Sequence, residues 1–61
     1  MKHREIIKLL EADGWFHVRT SGGHAIYKHN EKPGIVVVPI HSRDLAKGIA
    51  AAILKQAGIN R

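Results

Sequence analysis

The chain has 61 residues, ten lysines and arginines against five acidic residues, and no cysteine. At this length only about 60% of the surface of the unfolded chain is buried on folding, which allows one thin core and one domain, residues 1–61. Disulfides and thiolate chemistry are excluded, no apolar run approaches the roughly 20 residues of a membrane span, and the net charge of +5 favours a polyanion or an acidic protein partner.

The first stretch, "KHREIIKLLEADG", reads as a helix. Ile6, Ile7, Leu9 and Leu10 form one apolar stripe among charged residues, and Gly14 stands where a left-handed residue ends a helix. "MKHREIIKLL" starts basic but has no uninterrupted apolar region, so no signal peptide is read and the expected location is the cytoplasm. "WFHVRT" then changes period, with Phe16 and Val18 alternating with Trp15, His17 and Arg19, the pattern of a half-buried strand. "SGG" turns the chain. "HAIYKH" is a second strand with Ile26 and Tyr27 as its hydrophobic pair, "NEKPG" a second turn, and "IVVVP" a β-branched third strand that Pro39 ends.

The last stretch opens with Ser42 to Ala46 as a separate turn. Gly48 costs about 1 kcal/mol inside a helix, so the main helix is placed from near Gly48, with Ile49, Ile53 and Leu54 as its buried stripe and Gly58 as its cap. The order is α-β-β-β-α. Two short connections imply an antiparallel three-stranded meander, with two helices on one face. This α+β arrangement matches the layout of double-stranded-RNA-binding domains.

Four stretches together, "IIKLLEADGW", "RTSGGHAIYKH", "VVVPIH" and "DLAKGIAAAILKQAGI", resemble the HicA toxins of type II toxin–antitoxin systems, over nearly the whole chain. The resemblance implies a dsRBD-like fold, cleavage of messenger RNA by an endonuclease, and neutralisation by a HicB-type antitoxin. It also implies a catalytic histidine in a motif that usually reads Gly-Ser-His. Here that histidine corresponds to His24, and Gly23 stands where the serine usually is.

The chemistry suits those residues. RNA carries its own nucleophile, the 2′-hydroxyl, and a histidine titrating near neutral pH can take its proton without a metal. Gly22 and Gly23 leave backbone N–H groups uncovered for a phosphate. Lys28 shares strand parity with His24, so both side chains emerge on one face, where the ammonium can hold the scissile phosphate. Parity also forces a choice between Ile26 and Tyr27. Ile26 is expected in the core, and Tyr27 on the open face as an RNA-stacking ring or as plain cover for the sheet. His41 is either a second acid or base or a turn residue. His17 and His29 read as exposed strand residues and His3 as a solvated helix residue. No histidine pair has metal-ligand spacing, so neither metal nor cofactor is expected. The expected partners are RNA and the antitoxin, not membrane or DNA. A non-catalytic RNA-binding module is the alternative function, separable by incubating the protein with RNA.

Overall fold

The computed structural model describes residues 1–41 and 43–59. Its elements follow the expected order: α1 (His3–Asp13), β1 (Trp15–Ser21), β2 (His24–His29), β3 (Val36–Pro39) and α2 (Lys47–Gln56). The strands form one antiparallel sheet in the order β1-β2-β3. Both helices cover one face, and the core lies between: Ile6 and Leu10 of α1 and Ala50, Ile53 and Leu54 of α2 pack with Trp15, Ala25, Tyr27, Val36 and Val38 of the sheet. The other face is open, with Phe16 and Val37 partly exposed on it. Among the described residues no helix is long and apolar enough to cross a membrane.

In α1 the fully buried positions are Ile6 and Leu10, one helical turn apart, with Ile7 and Leu9 flanking them half-buried. The Glu5 carboxylate turns back to accept the Lys2 N–H at the helix start (3.1 Å). Helix α2 begins one residue before Gly48 and departs from the expected stripe. Ile53 and Leu54 are buried as expected, but Ile49 is 48% exposed, and Ala50 and Ala57 complete the buried face in its place. Small alanines let this helix lie close to the sheet, which hydrophobicity alone does not reveal. Its end at Gly58 is as expected: the Ile59 and Gly58 N–H groups donate back to the Leu54 and Lys55 carbonyls. Of the expected turn before α2, Ser42 lies outside the described residues. The stretch after it runs beside the N-terminus, where His3 N–H donates to the Arg43 carbonyl (2.7 Å) and Leu45 N–H to that of Met1 (2.8 Å).

A polar cluster closes the opposite end. The Lys32 ammonium donates to the Asp13 carboxylate (2.5 Å) and to the Ala57 carbonyl (3.0 Å), and the Trp15 indole N–H points at the same two acceptors (3.2 Å each). His29 belongs to this cluster and is not an exposed strand residue. Its side chain is 7% exposed, its Nε2–H donates to the Asp13 carbonyl (2.7 Å), and its Nδ1 accepts the N–H groups of Glu31 and Lys32. The ring lies so close to Gly14 that a Cβ there would stand 2.7 Å from Nε2.

The hydrogen bond from Lys32 is the main reason that the Asp13 carboxyl sits below its ordinary value of 3.8; partial desolvation pulls the other way. A carboxylate held low in the folded state stabilises the fold above its ordinary pKa. That contribution starts to go as pH falls below 3.8 and is lost as pH passes through the lower folded value. Asp13→Asn is therefore expected to flatten the dependence of Tm on pH between about pH 5 and pH 2. Parallel wild-type and variant profiles over that range would contradict the role given to Asp13.

Candidate functional site

The residues Ser21 to His24 form a two-residue hairpin loop. Ser21 pairs with His24, and the two central residues, Gly22 and Gly23, have φ of 56° and 79°. Both angles are left-handed, as the tight turn favoured between twisted antiparallel strands demands. His24 is the first residue of β2, and its side chain is exposed. The ring is oriented locally: Nδ1 lies 3.1 Å from the Gly22 carbonyl oxygen. A carbonyl only accepts, so Nδ1 carries the proton, and in the neutral ring Nε2 keeps its lone pair. That is the form in which an imidazole can take a proton from a substrate.

His41 reaches the same turn from the other side. Strand β3 pairs with β2 so that Pro39 stands opposite His24, and the Ile40 N–H then donates to the Gly23 carbonyl (3.0 Å). The next residue lays its imidazole on Gly23. A Cβ at position 23 would occupy space already held by His41 Nε2 and Cδ2. Gly23 is thus fixed for two reasons, its left-handed backbone and this ring. The structure brings together Gly22, Gly23, His24 and His41 from the sequence-derived set.

Lys28 lies on the open face with His24, as parity required, and is exposed. Tyr27 does not, and its expected role in stacking RNA is corrected. It is 5% exposed, pairs with Val36 on the helix side and meets His17 edge-on at 5.6 Å. Burial first, and the nearby Glu11 second, raise its phenol pKa above the ordinary value. Ile26, expected in the core, is the half-buried residue on the open face. The reason is His29. Once that ring turns inward to bond the Asp13 carbonyl, alternation sends Tyr27 and Ala25 inward as well, and Lys28, Ile26 and His24 outward.

Two further residues share the open face. Phe16, 45% exposed, pairs with Lys28. Arg19 pairs with Ile26, because the register shifts between His17 and Arg19 and leaves Val18 as the extra residue of a bulge. Strict alternation from Phe16 would put Arg19 on the helix side, so the sequence gives no direct signal for it. Trp15, not Phe16 or Val18, is the core residue of β1. His17 Nε2 lies 2.9 Å from the Thr20 hydroxyl, and His3 is half-buried rather than solvated. Among the described residues no three His, Asp or Glu side chains gather as a metal site.

The fit between Gly23 and His41 predicts a coupling. Gly23→Ala should lower stability by the roughly 1–2 kcal/mol of a left-handed non-glycine residue, plus a steric part that displaces the His41 ring. His41→Ala should relieve the steric part alone. A double-mutant cycle read by denaturant unfolding should therefore give an interaction energy of about 0.5–3 kcal/mol. Strict additivity would mean that the ring does not rest on the glycine.

Every residue of this arrangement falls within residues 3–59, the span that matches the family described as HicA toxin of bacterial toxin-antitoxin. Among curated proteins none matches the sequence. The family match covers nearly the whole chain, and the α-β-β-β-α fold agrees with the expectation drawn from the four motif stretches. This chain belongs to the HicA toxin family of toxin–antitoxin systems.

Proposed function

We propose that the chain is a metal-independent endoribonuclease acting on messenger RNA, with His24 as its general base. The observation that carries this reading is the His24 ring itself. Its Nδ1–H is committed to the Gly22 carbonyl, and its Nε2 is left as an acceptor on an exposed, cationic face. In the proposed step Nε2 takes the proton of a 2′-hydroxyl, and that oxygen forms a bond to the adjacent phosphorus. The bond from phosphorus to the 5′-oxygen breaks, and His41 in its protonated form supplies the proton that the leaving oxygen needs. The products are a 2′,3′-cyclic phosphate and a 5′-hydroxyl end. Lys28, Arg19 and the backbone N–H groups of Gly22 and Gly23 balance the charge on the phosphate. Phe16 takes the base-stacking role first assigned to Tyr27.

The antitoxin partner in this reading is of the HicB type and neutralises the toxin by covering the open face. Exposed Phe16 and Val37 support a protein contact there, since apolar side chains on the face that carries His24 are unlike a plain solvated sheet.

His24→Ala should reduce cleavage by about 10²–10⁴-fold, the usual cost of losing a general base. Thermal stability should change by only about 0.5 kcal/mol, because the side chain is exposed. Wild-type cleavage by a folded variant would move the chemistry elsewhere. A substrate carrying one 2′-deoxyribose at the cut site should resist cleavage there and be cut normally at other sites; cutting at the deoxy position would exclude 2′-hydroxyl attack. Excess EDTA should leave the rate unchanged, and loss of activity that added metal restores would contradict a histidine acting alone.

A further inference from the structure

The molecule has a second basic feature beside the His24 turn. A groove of about 800 Å³ runs between the first turns of α1 and the segment that leaves β3. Arg4 and Lys8 line one wall and Arg43 the other, and Lys2 adds a fourth cation. Lys2 is paired with Asp44 at 3.5 Å, whereas Arg4, Lys8 and Arg43 make no ion pair among the described residues. The one carboxylate in the groove, Glu5, already accepts the Lys2 N–H. Arg4 and Lys8 are four residues apart on α1, so their side chains are neighbours on one helix face. The walls are tied together by the hydrogen bonds of His3 to Arg43 and of Leu45 to Met1, so the groove exists before any ligand arrives.

The groove is joined to the site by Ile40. This residue lines the groove, and its N–H donates to the Gly23 carbonyl, inside the turn that carries His24 and supports His41. A chain of phosphates crossing that turn is one residue away from the groove's entrance. The lining is mainly cationic; its one ring is the half-buried imidazole of His3, and it offers one aliphatic side chain, Ile40. Such a surface suits a sugar–phosphate backbone and reads no bases.

We infer that this groove is a phosphate track that holds the RNA strand on one side of the cut, and that Arg4, Lys8 and Arg43 are its phosphate ligands. The inference rests on the ribonuclease reading above. It adds that affinity is gathered away from the reacting atoms, so that the open face is left to position the scissile nucleotide.

The test uses the full chain carrying His24→Ala, so that a fluorescein-labelled, unstructured RNA of 12 nucleotides binds without being cut. Affinity is measured against salt for this parent, for Arg4→Gln with Lys8→Gln, and for Lys47→Gln with Lys55→Gln on α2, which removes the same charge from outside the groove's lining. Losing two phosphate contacts to a single strand should lower the slope of log affinity against log salt by about 1.4 units. The α2 pair should lower it by less than half as much. Arg43→Gln alone, with a slope lowered by about 0.7, is a second measurement should the double variant fold poorly. A parent that binds RNA while the groove variants keep its slope, or while the α2 pair lowers it equally, overturns the track and leaves the ribonuclease reading standing. A parent that does not bind RNA overturns both.

Discussion

One ammonium group holds three segments in register. Lys32, in the connection between β2 and β3, donates at once to the carboxylate at the end of α1 and to the Ala57 and Gly58 carbonyls just past the end of α2. Helices of ten or eleven residues are marginal on their own and leave orphan carbonyls at their C-terminal ends. A cation placed there satisfies those carbonyls and opposes the negative end of the helix dipole. The Trp15 indole shares the same acceptors and closes the core beneath them. From this cluster the rest of the sheet takes its orientation. His29 is drawn inward by the Asp13 carbonyl, and His24, five residues earlier, is an odd number of steps away. The contact that stabilises one end of the molecule therefore decides which way the histidine at the other end points.

That causal chain marks where the sequence stops being legible. The elements could be read because their signals are local: the period of the apolar residues in α1, the β-branched run of β3, and the glycines of the two-residue turn. His24 and its shared face with Lys28 could be read for the same reason, helped by the motif resemblance. The orientation of Tyr27 could not. It depends on Asp13, His29, Lys32 and Ala57, four residues scattered over most of the chain, each of which looks like an ordinary solvated or helical position when met alone. The contact of His41 with Gly23 is equally long-range, and it gives the glycine a physical reason: a side chain at position 23 and the His41 ring compete for one space.

The division of the molecule into two ends also separates its kinds of polar chemistry. At the Lys32 end, donors and acceptors are paired with each other, and their function is spent on holding the fold together. At the His24 end the polar groups are turned outward: an imidazole with a free acceptor, the Arg19 and Lys28 cations on the open face, and the groove cations beyond Ile40. Changes at one end need not disturb the other unless they alter the parity of β2.

Val18 gives the β1 strand a property that no single side chain has. Because it is the extra residue of the bulge, it acts on everything between itself and the turn as an insertion acts on a reading frame. Substituting it changes one exposed side chain. Removing it would restore the frame: Arg19 would follow His17 in regular alternation, so Arg19 and Ser21 would keep the open face and Thr20 the helix side. What the strand would lose is the bend and added twist that a bulge gives it just before the turn, so a chemically plain valine shapes the path of the chain and not the facing of its neighbours.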